Sequence, residues 1–223
     1  MQLQRKKSNS MEPWNIKTDI FKRGFDVFTS ILGLMILSPV LLPIAILIKT
    51  NSKGPVFYRG LRVGRAENNF KIFKFRTMVI DADKIGGPST SDDDPRITKI
   101  GKLLRQYKLD EIPQLLNIVK GEMSFVGPRP EVPSEVVTYT EEQKKILTIK
   151  PGITDWASLA FHNEGEILKG STDPHASYRE KIRPEKLRLA LKYVNERSFL
   201  TDMKIIFNTL ATLIRTRAEK VQQ

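Results

Sequence analysis

Asp110 and Glu111 stand side by side where a helix is expected to begin. Consecutive side chains do not share one helix face. Both can still serve one site if it lies across the helix end, where free N–H groups and the dipole favour bound phosphate and ionised carboxylate. A divalent cation bridging carboxylate and phosphates would complete such a site, and Mg²⁺ suits oxygen ligands. A carboxylate can also attack phosphorus and form an acyl phosphate. On these two residues alone, helix capping is the simpler reading, with Asp110 as N-cap, Glu111 in the first turn and Pro113 where no intrahelical N–H is needed.

Several cations could recognise phosphate near such a pair. Arg129 lies between Pro128 and Pro130, so its backbone is stiffened before any ligand arrives. Lys74 and Arg76 alternate with Phe73, Phe75 and Thr77 and share one face if the segment is a strand. Arg105 lies just ahead of the acidic pair. Each alone is also explained as a solvated surface charge. Asp92-Asp93-Asp94 reads as an exposed acidic loop rather than a cation site. His162 and His175 have no partner at recognisable spacing, and with no cysteine in the chain, disulfides, thiolate catalysis and Cys-bound zinc are excluded.

The elements that position these residues begin with an apolar segment. No charged residue occurs from Val27 to Ile48, between Asp26 and Lys49, although the 223-residue chain holds 37 basic and 25 acidic residues. As a helix this run is about 33 Å long, enough for a hydrocarbon core of about 30 Å. Its length and the lack of a small-x-small site after it argue against a cleaved signal peptide. Ser38-Pro39 sits at its midpoint and Pro43 follows one turn later. Pro39 frees the Met35 carbonyl, which the Ser38 hydroxyl can satisfy. Both flanks are cationic, and the preference for positive charge in the cytoplasm is met on both sides by a re-entrant hairpin but on only one by a span. A Pro-kinked span is the competing reading.

Beyond it, Val56–Val63 and Phe70–Met78 read as two strands of a hairpin, and residues 81–96 as a loop. Thr98–Leu109 reads as a basic amphipathic helix. Asp110–Val119 reads as a second helix, 121–130 as a loop, Glu141–Thr148 as helical, Lys150–Thr154 as a turn and Pro184–Glu196 as a helix. Phe199, Met203, Ile206, Phe207, Leu210, Leu213 and Ile214 form a last apolar stripe, which either packs on the core or lies at a lipid interface. The net charge of +12 points to an anionic partner, whether nucleic acid, phosphorylated substrate or acidic lipid.

Taken together, these residues resemble the bacterial sugar transferase family, the monotopic polyprenyl-phosphate phosphoglycosyl transferases, from about Phe21 to Ile214. The likeness is carried by Ser38-Pro39, Pro55-Val-Phe-Tyr-Arg, Arg62-Val-Gly, Phe73-Lys-Phe-Arg-Thr-Met and Asp94-Pro-Arg-Ile-Thr-Lys-Ile-Gly. It continues through the long block from Leu109 to Pro130, Lys150-Pro-Gly-Ile-Thr and Asp202-Met-Lys-Ile-Ile-Phe. Gly60, where a Gln is usual, and Asp155, where Gly is common, depart from the pattern and bear on sugar preference.

The resemblance implies transfer of a sugar phosphate from a UDP-sugar to undecaprenyl phosphate, releasing UMP, by a ping-pong route through a covalent aspartyl-phosphosugar. It implies Asp110 as nucleophile, with Glu111 as its proton-handling or metal-orienting partner and Mg²⁺ at the pair. It matches Arg129 to the nucleotide donor, Lys74 to a position near the pair, Arg105 to the acceptor phosphate, and Ser38-Pro39 to the break of a re-entrant hairpin. The implied place is the bacterial inner membrane, with lipid as a partner, the catalytic part facing the cytoplasm and no nucleic acid bound. Oligomeric state is left open.

The expected architecture is therefore α+β and mostly helical: a re-entrant membrane helix hairpin, a short β-hairpin and amphipathic interfacial helices around a catalytic core. It forms a single domain over 1–223, with a flexible N-terminus at 1–16, the membrane segment at 17–49 and the cytoplasmic part at 50–223. This matches the minimal form without an added N-terminal bundle. Competing readings are a glycosyltransferase that releases UDP and a non-catalytic, membrane-anchored basic binding protein.

Overall fold

The computed structural model describes residues 16–221. The expected flexible N-terminus falls almost wholly on residues outside that range. Helix α1 (Ile16–Asn51) leads into four short strands: β1 (Phe57–Tyr58), β2 (Leu61–Val63), β3 (Asn69–Lys71) and β4 (Lys74–Phe75). The chain continues with α2 (Ala82–Ile85), α3 (Lys99–Gln106), a 3-10 turn (Leu109–Gln114), α4 (Leu115–Lys120), β5 (Ser124–Val126) and α5 (Pro133–Val136). After a second 3-10 turn (Gln143–Thr148) come β6 (Gly152–Thr154), α6 (Trp156–Ala160), α7 (Glu164–Ile167), α8 (Pro174–Ser177), a π turn (Tyr178–Ile182), α9 (Arg183–Glu196) and α10 (Phe199–Val221). The described residues are mostly helical with a few short strands.

The expected hairpin forms, but each of its strands is split. β2 pairs antiparallel with β3, Arg62 facing Phe70, and β1 with β4, Tyr58 facing Lys74. Between the two pairs, the Ile72 N–H donates to the Gly60 carbonyl at 3.0 Å. Residues 121–130 and 150–154, expected as loop and turn, instead supply β5 and β6, a parallel pair with Ser124 opposite Gly152 and Val126 opposite Thr154. Three residues on each side are too few for an alternation signal, so only the long-range pairing makes them strands.

Helix α1 runs unbroken through Ser38 and Pro39. The carbonyl freed by Pro39 is satisfied as expected, the Ser38 hydroxyl donating to Met35 O at 2.8 Å. One stripe of α1 faces the rest of the protein. Lys22 bonds Val126 O and Asp202, and Arg23 donates to the last carbonyls of α4, Ile118 O and Val119 O. Asp26 and Ser30 are buried. Leu34 packs on Leu115 and Ile118, and Ile44 and Ile48 pack on Phe75 and Leu104. The opposite stripe is bare: Ile36 is 65% and Leu42 67% exposed. This is a helix long and apolar enough to cross a membrane by length and composition, and its outer face is not covered by protein.

Two other amphipathic elements are likewise only half covered. In α3, capped by the Thr98 hydroxyl accepting from Gly101 N at 2.9 Å, Leu104 is buried but Leu103 and Tyr107 are exposed. In α10 the packed face is Asp202 and Ile205. Phe207, Leu210, Leu213 and Ile214 of the expected stripe lie exposed, while Ile206 packs on the Val126, Ile149 and Tyr193 cluster.

Candidate active site

Asp110 does not cap a helix. The position before the 3-10 turn is Lys108, in the left-handed region at φ 55°, and Asp110 lies inside the turn without a capping hydrogen bond. The expected single helix is thus a 3-10 turn followed by α4, because Pro113 inside the turn cannot supply an N–H to an α-helical ladder. Asp110 is buried and its side chain makes no hydrogen bond or ion pair among the described residues. Burial pushes its carboxyl up, and the Glu111 charge adds to that push. Lys74, Arg105 and Lys108 pull the other way without cancelling it.

Glu111 has the opposite surroundings. Its Oε1 accepts from Lys74 Nζ at 2.8 Å and from Arg129 Nη2 at 2.5 Å, and its Oε2 accepts from Arg129 Nη1 at 3.2 Å. Burial alone would raise this carboxyl, but the Arg129 guanidinium and the Lys74 ammonium outweigh it and hold the group well below the usual carboxylate range. Burial lowers Lys74, whereas the Glu111 charge raises Arg129. Two adjacent carboxyls are therefore driven apart, one fixed as an anion by two cations and one left unpaired. Environments that separate paired carboxyls this way are a feature of catalytic sites.

Each member is held by long-range structure. Lys74 lies on β4, positioned by pairing with Tyr58. Arg129 follows β5, in a segment tied on both sides: Gly127 N–H donates to Thr154 O at 3.1 Å, Gly152 N–H to Pro128 O at 3.0 Å, and Val63 N–H to Glu131 O at 3.0 Å. The two segments approach so closely that a Cβ on Gly152 would lie 2.2 Å from Gly127 N. Only glycine permits that contact.

Arg105 is half buried and its side chain makes no hydrogen bond or ion pair among the described residues, while its charge acts on both Asp110 and Asp94. Arg76, the other cation expected on the Lys74 face, does not reach the site. It donates to Pro55 O, Lys53 O and Ser52 O at 2.7, 2.6 and 2.9 Å and so closes the exit from α1. Ser38 and Pro39 lie inside α1, with the Ser38 hydroxyl bonded to Met35 O. Asp94 is paired with Arg96 at 2.7 Å and Asp93 accepts from Gly170 N–H, so the acidic loop is not a metal cluster.

One site-forming residue was not singled out from the sequence. The fully buried Asn117 accepts from Phe73 N–H at 2.8 Å and donates to Lys71 O at 3.0 Å and Glu122 Oε2 at 2.7 Å. It bolts the strand carrying Lys74 to the helix that follows Asp110 and Glu111. The available signal was a lone amide inside the apolar run Leu115-Leu116-Asn117-Ile118-Val119. Of the two departures from the family pattern, Gly60 lies at the break of the split hairpin. Asp155 is buried at the start of α6, accepting from Ser158 N–H at 2.7 Å.

The donor set bears on Mg²⁺. Both Glu111 oxygens are engaged by cations, which leaves Asp110 as the carboxylate open to a metal. Among the described residues no group of three metal-ligating side chains occurs. A hard cation held by one carboxylate and substrate phosphates fits this arrangement.

Residues 17–216 match the family model described as bacterial sugar transferase. The chain belongs to the bacterial sugar transferase family. It is 38% identical over 200 residues to an exopolysaccharide production protein of Rhizobium leguminosarum, covering 86% of this chain and 94% of that one. It is 37% identical to the UDP-glucose:undecaprenyl-phosphate glucose-1-phosphate transferase of Escherichia coli, over 86% of this chain and 39% of that protein. It is 33% identical to a UDP-N-acetylgalactosamine-undecaprenyl-phosphate N-acetylgalactosaminephosphotransferase of Aeromonas hydrophila, over 86% of this chain and 43% of that one. This sugar transferase thus spans less than half of the two larger relatives, and those two name different sugars.

Proposed function

We propose that this sugar transferase moves a sugar phosphate from a UDP-sugar to undecaprenyl phosphate. The observation that carries the proposal is the unpaired, buried carboxyl of Asp110 beside Glu111, which holds Lys74 and Arg129 in place. An Asp110 oxygen attacks the phosphorus that bears the sugar. The bond from that phosphorus to the bridging oxygen breaks, and UMP leaves with the bridging oxygen and its electron pair. An aspartyl-phosphosugar remains. An oxygen of undecaprenyl phosphate then attacks the same phosphorus, the acyl phosphate bond breaks, and Asp110 is regenerated as carboxylate.

Lys74 and Arg129 stabilise the donor phosphates. Each is held by Glu111 through only part of its N–H groups, so further donors remain for phosphate oxygens. Arg105, whose side chain has no ion-pair partner among the described residues, takes the acceptor phosphate in this reading. Asp110 and the substrate phosphates would hold Mg²⁺, which supplies neutralisation of the diphosphate charge when bound. The test is purified protein with donor, undecaprenyl phosphate and Mg²⁺. Release of UMP together with phosphosugar-modified Asp110 is expected; release of UDP would establish sugar transfer without phosphate instead.

The membrane seat of the enzyme is part of the same reading. The N-terminal and C-terminal halves of α1 both pack on the catalytic part, through Lys22 and Arg23 and through Ile44 and Ile48, while the outer face of the apolar run stays bare. This supports an α1 that dips into lipid and keeps both ends on one side, as a re-entrant element facing the cytoplasm. The chain has no cysteine, so Asp19→Cys and Asn68→Cys give clean labelling sites. Labelling of both from one face of sealed vesicles is expected, and labelling from opposite faces would establish a span.

A further inference from the structure

The segment around Lys74 has a second cationic face. Phe57 stacks on Phe75 at 5.5 Å between centroids and meets Phe73 edge-on at 6.2 Å. Phe73 and Phe75 therefore lie on one side of this segment, and Phe75 is packed against Ile44 and Ile48 of α1. Lys74, between them, points to Glu111. On the α1 side two cations share the Phe73 ring, Arg59 with Cζ 4.6 Å and Lys120 with Nζ 4.6 Å from its centroid. Neither makes an ion pair or hydrogen bond among the described residues, and both are exposed. Phe57, Tyr58 and Leu61 beside them are exposed too.

Two cations at one ring attract an anion, and the neighbouring Glu122 carboxylate is engaged by Asn117 and pairs with neither of them among the described residues. Phe57 links this ring to α1 through Phe75, which packs against Ile44 and Ile48, whereas Lys74 reaches Glu111. We propose that Arg59, Phe73 and Lys120 form a clasp for the phosphate of an acidic phospholipid, separate from the phosphates that react at Asp110. The clasp rests on the membrane seat of α1 argued above. It would hold the chain at the depth of the headgroups, where cations on an anionic surface act at short range.

The test is lipid selectivity of the full chain reconstituted in mixed phosphatidylcholine and phosphatidylglycerol bilayers, read by electron paramagnetic resonance of spin-labelled versions of each lipid. The expected result is a preference for phosphatidylglycerol that falls by about fivefold for each cation removed, in Arg59→Gln and in Lys120→Gln. Arg59→Lys should restore it, and the turnover number should be unchanged throughout. Equal association of both lipids with the parent chain would overturn the proposal, as would a preference that survives the double variant. Loss of the preference on adding inorganic phosphate would assign the cations to soluble phosphate, again overturning it. So would a raised KM for undecaprenyl phosphate in Arg59→Gln with lipid preference intact, which would assign them to the acceptor. A chain that does not enter bilayers refutes the membrane seat and the clasp together, whereas a seated chain without selectivity refutes the clasp alone.

Discussion

Arg129 grips both carboxylate oxygens of Glu111, from Nη1 to Oε2 at 3.2 Å and from Nη2 to Oε1 at 2.5 Å. A two-point grip of this kind fixes orientation as well as charge, and Lys74 adds a third contact at 2.8 Å. Glu111 is in this arrangement a counter-ion that positions Lys74 and Arg129. Against the upward push of burial, the Arg129 and Lys74 charges together hold its carboxyl well below the usual carboxylate range.

Glu111→Gln should therefore raise the KM for the donor by about tenfold or more. It should also move the acid limb of kcat/KM to lower pH. That limb reports Asp110 in the free enzyme, whose carboxyl is raised first by burial and then by the Glu111 charge. Removing that charge, and leaving Lys74 uncompensated, lowers it. An unmoved limb would show that Glu111 serves the fold only.

Asp110→Asn should lower turnover by more than about 10³-fold and abolish covalent labelling by donor-derived phosphorus. It should not weaken the fold. The raised carboxyl of Asp110 favours the folded state fully below its unfolded value, and that contribution is lost as pH rises through the folded value. The variant should therefore melt at the same or a higher temperature at pH 7, with less gain at pH 4. Thermal melts at the two pH values decide this.

Asn117→Ala should destabilise the protein by about 2 kcal/mol, because the Phe73 N–H and Lys71 carbonyl lose the fully buried amide that partners both. Activity should fall with it as Lys74 loses its anchored strand. Denaturant unfolding in detergent measures the first effect and steady-state turnover the second.

Asp202→Ala should cost about 3 kcal/mol. Asp202 pairs with Lys22 of α1 and accepts from the buried Tyr193 hydroxyl at 2.6 Å, so its loss removes the buried charge partner between the first and last helices and leaves the cation and the hydroxyl to share the Val126 carbonyl. The donor KM should be unchanged, since none of these groups touches Glu111. Unfolding midpoints and kinetics on the same preparation separate the two.

Some of this was legible in the residue order because its causes are local. The uncharged run from Val27 to Ile48, the Ser38 hydroxyl beside Pro39 and the hydrophobic spacing of α3 all act within a few residues and appear as expected, whereas the helix expected to start at Pro184 continues directly from α8 and the π turn. The Asp110-Glu111 pair was visible as a pair, and Lys74, Arg105 and Arg129 as unassigned cations. The division of labour within the site was not visible. It depends on Arg129 reaching Glu111 across 18 positions and Lys74 across 37, on Arg76 being drawn off to the end of α1, and on Asn117 joining two strands to a helix. Charge and burial at a carboxyl are sums over neighbours in space, and chain folding brings those neighbours together from distant positions. Residue types could therefore offer candidate carboxyls and cations, while only the tertiary contacts show which carboxyl is left unpaired and which is engaged by cations.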